Sequence, residues 1–438
     1  MDAQHRSAAA PVAKGFDRRQ FIAITAATGA VLALPRRVRA AGANDKIVAA
    51  IMGANSRGSD LAGLWTKEPN VEIAYVCDPD ERAVAKGIAA VTDGGQAQAP
   101  QGVKDFRRAL DDASVDVLIC AAPDHWHAAA TTLACAAGKH VYVEKPCSYN
   151  GREGELMVEA ARKHQRIVQV GMQRRSGPLY REVVERIHGG VIGRTLYARS
   201  WYNSVRPTIG RGAEVAPPAW LDYDLWQGPA TERPFRDNVV HYNWHFFWHW
   251  GANEIGNNGV HTIDICRWAL DVDFPQRVTA AGGKYRFPDD DQETPDNMTA
   301  VFDFGDKSIV WEGISWSDNP LTPSGIGIEI RGEEGSVLAT DDGYTIYDND
   351  RKVVGAGKGG RGDQEHQADA LDAIRTGRLP NADILEGHKS AVLCHLGNIA
   401  FRLGRSIDVD PQSGHVKGVP EAEKLWTREY RDQWTPKA

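Results

Sequence analysis

The sequence predicts an α/β domain with a doubly wound parallel sheet, followed by an α+β domain with a large, mostly antiparallel sheet. Three observations carry this. Apolar strand-like runs alternate with helical patterns from residue 44 to 172, the alternation stops after Gly171, and later strands follow one another with only turns between them. The chain has 438 residues, 42% hydrophobic and 25% charged, which is ordinary for a globular protein and long enough for two cores.

The first 40 residues read as an address. Asp17-Arg18-Arg19-Gln20-Phe21-Ile22 opens an apolar run through Leu34, and Val38-Arg39-Ala40 offers a small-residue cleavage site. This is the twin-arginine export pattern, and it implies a periplasmic protein handled by the twin-arginine machinery. Its removal takes away seven Lys/Arg and two Asp, moving the formal charge from -7 to about -12. So acidic a chain is not suited to nucleic acid or anionic lipid, and no later run approaches the ~20 apolar residues of a membrane span.

Lys46 to Met52 reads as a buried strand, and Gly53-Ala54-Asn55-Ser56-Arg57-Gly58 as a turn into a helix. Such a turn points backbone amides and a helix N-terminus at a pyrophosphate, although the third position here is Asn55 rather than glycine. The strand Val71–Cys77 ends at Asp78, where a carboxylate accepts from both ribose hydroxyls and repels a 2′-phosphate, favouring NAD over NADP. Asp78 alternatively only opens the Asp78-Pro79-Asp80 turn. Together these features describe a Rossmann domain over residues 44–172.

The third strand, Val115–Ala122, runs into Pro123-Asp124-His125-Trp126-His127 and a helix ending at Gly138. His127 either faces the nicotinamide or caps that helix. The next strand ends in Glu144-Lys145-Pro146, which places the Lys145 ammonium at the carboxyl edge of the sheet, where open α/β folds bind ligands.

After Gly171 the strands read as 194–202, 276–280, 298–304 and 308–312, all within a domain spanning 173–410. Residues 201–250 form a long aromatic connection holding Trp201, Tyr202, Trp220, Tyr223, Trp226, Tyr242, Trp244, Phe246, Phe247, Trp248 and Trp250. These rings suit sugar faces, or burial against a partner subunit. Helices at 364–376 and 384–403 are expected to pack back on the first domain, and 411–438 reads as a polar tail. His241, His245 and His249 recur every four residues, but the intervening aromatics and Gly251 argue against a metal-binding helix, so no metal is assigned. The six cysteines are too scattered for a disulfide framework and read as core thiols.

The turn at Gly53, Pro123-x-x-x-His127, Ala137-Gly138-Lys139-His140-Val141, Glu144-Lys145-Pro146 and Gly256-Asn257-Asn258-Gly259-Val260-His261-Thr262-Ile263-Asp264 together resemble the Gfo/Idh/MocA oxidoreductases. The resemblance covers nearly all of the chain after residue 40. It implies a catalytic group of Lys145 and His261 around a sugar or polyol hydroxyl, with a carboxylate where this chain has Asn257. An amide orients but cannot carry a proton, so Asp264 or Glu254 is the expected substitute. It further implies cofactor contacts from Gly53, Asn55, Ser56, Arg57, Gly58, Asp78, Pro123, His127, Glu144, Lys145 and Gln173, substrate contacts from Asn257, Asp264, Trp248 and Tyr202, and a homo-oligomer.

The chemistry agrees with that group. Taking a hydride from a carbinol carbon requires a base for the hydroxyl proton and a cation beside the oxygen, roles suited to His261 and Lys145. An exported enzyme meets no free nicotinamide nucleotide, so its NAD must remain bound. The functional expectation is hydride transfer with a sugar or glycoside. A redox-neutral NAD-dependent glycosidase and a non-catalytic sugar-binding protein are the alternatives.

Overall fold

The computed structural model describes residues 46–318 and 321–438. The export signal read in residues 1–40 lies outside the described residues.

Six parallel strands form the first sheet: β1 (Ile47–Met52), β2 (Val71–Cys77), β3 (Gln101–Val103), β4 (Val117–Cys120), β5 (His140–Val143) and β6 (Val168–Val170). Their order, β3-β2-β1-β4-β5-β6, reverses between β1 and β4. A ligand crevice belongs at the carboxyl ends of those two strands. Helices α1 (Arg57–Trp65), α2 (Glu81–Asp93), α3 (His127–Ala136) and α4 (Gly151–Lys163) form the crossovers. The strands are apolar on both faces because both are covered: Ile51, Ile73, Leu118 and Ile119 are all fully buried.

After α5 (Pro178–His188), β7 (Thr195–Val205) begins the second sheet. It continues through β8 (Arg277–Gly283), β9 (Asn297–Asp303), β10 (Ser308–Ile314), β12 (Ile326–Gly332), β13 (Gly335–Thr340), β14 (Gly343–Asp348), β15 (Val353–Lys358) and the short β16 (Ile407–Asp408); β11 (Trp316–Ser317) pairs with β7. All of its pairings are antiparallel except β7 with β10. Helix α6 (Val260–Leu270) packs across one face, with Ile263, Phe302, Trp311 and Ile330 in a shared core. The meander β12–β15 escaped the sequence reading although Ile326, Ile328 and Ile330 alternate with Gly327, Glu329 and Arg331. Its many glycines hide the period of two.

Helices α7 (Asp363–Thr376) and α8 (Ile384–Leu403) return to the first domain, where Ala370, Leu371, Ile384 and Ala391 join its cores. The polar tail expected after residue 410 proves to be ordered structure. Helix α9 (Pro420–Trp426) buries Trp426, and Trp434 packs edge-on against Trp126 with centroids 4.8 Å apart. Widely spaced aromatics, rather than a continuous apolar stripe, anchor that segment. All six cysteines are buried free thiols, and no helix among the described residues is long and apolar enough to cross a membrane.

Candidate active site

The crevice at the β1/β4 switch point is lined by Gly53, Asn55, Ser56, Asp78 and Pro123, among others. Gly53 has φ +83°, and a Cβ there would lie 2.6 Å from the Ala122 nitrogen; a Cβ on Gly58 would lie 1.6 Å from the Gly53 carbonyl oxygen. Only glycine permits the turn and helix to pack this closely. Ser56 makes no side-chain cap on α1, so the helix N-terminus faces the crevice with its dipole available to an anion. Asp78 Oδ2 accepts from the Ala54 amide at 2.7 Å and Oδ1 from the Asp80 amide at 2.9 Å, which fixes the carboxylate at the cavity wall. Burial pushes its pKa up to about 6. These residues fit a dinucleotide.

The connection from residue 206 to 250 forms a strap over this crevice. Leu225, Trp226 and His241 line the cavity opposite the glycine turn. His241 Nε2 lies 2.7 Å from Asp80 Oδ2, the Arg82 guanidinium carbon sits 3.2 Å from the Trp220 ring centroid, and the Glu81 amide donates to the Trp220 carbonyl. Several of the strap aromatics pack on one another. Tyr223, Trp226, Phe235, Phe247 and Trp250 form their own buried cluster, because so long a loop needs an apolar core to hold one conformation.

Lys145, just beyond β5, donates from Nζ to the Asn257 carbonyl at 2.9 Å and to Asn257 Oδ1 at 3.0 Å. Asn257 lies in a π-helical turn, Ile255–Gly259, running directly into α6. Such turns are rare and recur at functional sites, where they re-aim side chains. His261 follows one turn later. Its Nδ1 is buried with no hydrogen-bond partner among the described residues. Burial, and then the positive charges of Arg174, Lys145, Arg361 and Arg57, hold its pKa well below the ordinary histidine range, so the ring is neutral. Burial also lowers the Lys145 pKa, with Glu144, Asp124 and Glu254 opposing it.

Glu144 accepts from Arg57 Nε at 2.9 Å and from Gln173 Nε2 at 3.4 Å. Burial pushes this carboxyl up, but Arg57 and Lys145 outweigh it and keep the group ionised. Arg57 also reaches Asp363 at 3.1 Å, so it ties the glycine turn to β5 and α7.

Several expectations are corrected by the geometry. Asp264 is committed to other partners and does not replace the missing carboxylate: both its oxygens accept from Arg175 Nε, at 3.0 and 2.8 Å, and Ser390 donates to it at 2.6 Å. Trp248 lines a different cavity, beside Tyr149 and Arg402. The His127 ring nitrogens lie 2.6 Å from the Pro146 carbonyl and 2.8 Å from the Ala122 carbonyl, so this residue braces two strand ends. His241, His245 and His249, to which the sequence assigns no metal, contact Asp80, the Tyr242 carbonyl and the Thr231 carbonyl respectively.

Other groups do converge. Glu254 is 5% exposed and pairs with Arg206 at 3.2 Å, while Arg206 donates to the Tyr202 hydroxyl at 2.9 Å. Tyr242, at φ +77°, hydrogen-bonds Asn257. A non-glycine residue there is strained, which marks a position held for a reason. Asp124 was missed by the sequence reading. It accepts from the Ala252 amide at 3.0 Å, and burial raises its pKa to about 7, opposed mainly by Lys145. Its only signal was the Pro123-Asp124 step at a strand end.

The nucleotide half of the chain, residues 47–172, matches the model of an oxidoreductase family NAD-binding Rossmann fold, and residues 208–436 match that family's C-terminal alpha/beta domain. The chain belongs to the Gfo/Idh/MocA oxidoreductase family. Its cofactor is NAD. Inositol 2-dehydrogenase 2 of Saccharopolyspora erythraea is 30% identical over 223 residues, 50% of this chain and 52% of that protein. Inositol 2-dehydrogenase 4 of the same organism is 24% identical over 383 residues, 82% of this chain and 95% of the relative. Glycosyl hydrolase family 109 protein 2 of a Shewanella species is 28% identical over 174 residues, 35% of this chain and 38% of the relative. The first of these matches therefore spans about half the relative's length. A levoglucosan dehydrogenase solved with NADH and levoglucosan has a TM-score of 0.66 at 18% identity, over 83% of this chain and 99% of the other. That likeness is one of fold.

Proposed function

We propose that this protein transfers a hydride between a hydroxyl-bearing carbon of a sugar or glycoside and an NAD that stays bound, and that it does so in the periplasm after twin-arginine export. The observation that carries the reading is the Lys145–Asn257–His261 cluster at the carboxyl edge of the Rossmann sheet. NAD+ supplies a hydride acceptor there, and its reduced form a donor.

Lysine has three N–H donors and Asn257 uses two, so the third is left for the substrate oxygen, whose developing negative charge it stabilises. His261, kept neutral, has a nitrogen lone pair ready to take the hydroxyl proton. The Tyr202, Arg206 and Glu254 side chains supply donors and acceptors for further hydroxyls. Asp124 is a positioning residue that biases the charge on Lys145. The inositol dehydrogenase relatives support a polyol or sugar as substrate.

A redox-neutral glycosidase is the second reading. The strap across the nucleotide crevice favours it, because a covered cofactor is best regenerated by the reaction itself, and the glycosyl hydrolase relative agrees. In that route oxidation acidifies the neighbouring C–H, loss of that proton eliminates the aglycone, water adds across the double bond so formed, and the hydride returns to the carbonyl carbon of the sugar. Incubating the purified protein with aryl glycosides separates the two. A keto-sugar with reduced nicotinamide supports net oxidation, released aglycone without net reduction supports the second route, and neither product contradicts both.

A further inference from the structure

A second cavity, of about 320 Å³, lies apart from the nucleotide crevice and shares no lining residue with it. Its walls come from the start of α4 (Tyr149), the strap (Arg233, Trp248), the end of α8 (Arg402) and the segment at α9 (Lys424, Arg428). We propose that this cavity is a second ligand site, which takes the phosphate or sulfate ester of a small molecule on the guanidinium edges of Arg402 and Arg428. The inference does not depend on the redox reading.

Charge is the first argument. Four lining side chains are Lys or Arg and one, Glu429, is acidic, in a chain of net charge -7. Arg233 has Glu293 at 3.5 Å, but Arg402, Lys424 and Arg428 form no ion pair among the described residues. The carboxylate acting on Arg428 is Glu153, whose oxygens already accept from the Tyr149 amide at 2.8 Å and the Tyr430 hydroxyl at 2.9 Å. Arg428 Nη1 is shielded from solvent and has no acceptor among the described residues. Arg428 therefore brings to the cavity wall a charge that no carboxylate among the described residues pairs with directly.

Orientation is the second. The Arg428 guanidinium carbon lies 4.5 Å from the Tyr149 ring centroid, and that of Arg402 lies 5.0 Å from the Trp248 centroid. Stacking on a ring fixes the guanidinium plane and leaves its N–H edge free to fork onto two oxygens. The Tyr149 hydroxyl donates to the Trp248 carbonyl, which joins the two platforms. The cavity is far larger than one tetrahedral anion and falls within the ~300–1,000 Å³ of small-molecule sites, so the anion is the handle of a larger ligand.

Isothermal titration of the full chain with its bound NAD tests this, using glucose 6-phosphate, glucose 6-sulfate, inorganic phosphate and glucose as probes. Saturable binding of an ester but not of glucose is expected, weakening with salt and falling at least tenfold in Arg402→Gln and in Arg428→Gln, while NAD content is unchanged. The preferred ester identifies the group. Arg402 is exposed, so its substitution leaves the fold intact, and Arg428→Lys keeps the charge but loses the fork. Absence of saturable binding by any anion, or equal binding by wild type and both glutamine variants, overturns the proposal.

Discussion

The nucleotide crevice and the cleft around Lys145 adjoin each other but are built in opposite ways. The crevice is local: a turn of six residues, Gly53 to Gly58, and the ends of neighbouring parallel strands make most of its wall. The cleft is assembled at long range, with Lys145 held by a residue 112 positions away in a π-helical turn. A phosphate-binding turn is set by backbone geometry and leaves its glycines in the sequence. A hydroxyl-binding cleft is set by side chains that only the fold brings together.

The largest effect that separates these halves is expected from Lys145→Met. Turnover should fall by about 10³-fold, the scale of removing a charged stabiliser from a reacting oxygen, while the NAD copurifying with the protein is unchanged. If NAD is lost in step with activity, the two halves are not separable in this way.

Asp264→Asn probes the correction made to the resemblance. Breaking the buried Asp264–Arg175 pair should cost about 3–5 kcal/mol of stability, read as a lower denaturation midpoint, with near-normal kcat in the folded fraction. A selective loss of kcat at normal stability would return Asp264 to the chemistry.

Legibility followed the same divide. Gly53, Gly58, Asp78 and Lys145 could be read from spacing, because strand and turn periodicities are properties of neighbouring residues. Asp124, Arg206 and Tyr242 could not, since their roles come from burial and from the path of the strap. Trp248 and Asp264 misled for the converse reason: residue type and helical spacing fit a substrate role, but the fold sets them against Arg402 and Arg175.

The strap ties the two halves together, and His241→Ala should loosen it. Dissociation of NAD, followed by dialysis and nicotinamide absorbance, is expected to accelerate about tenfold on loss of the Asp80 contact. An unchanged rate would make the strap a passive cover.

The smallest effect sharpens the cleft itself. His261 is neutral throughout the working range, so the acid limb of the rate profile should come from Asp124, active when ionised above a pKa of about 7 and silenced by its proton below. Asp124→Asn should flatten that limb, and a limb that persists would assign it to another group.

The central claim is that Lys145 and His261 move a hydride between substrate carbon and a resident NAD. Its most direct test is to mix the protein as purified, with no added nucleotide, with a sugar deuterated at its ring carbons and to weigh the released NAD by mass spectrometry. Deuterium on the nicotinamide in wild type and none in Lys145→Met is the predicted result. Equal labelling of both proteins, or unlabelled NAD in the wild type while a keto-sugar accumulates, would contradict it.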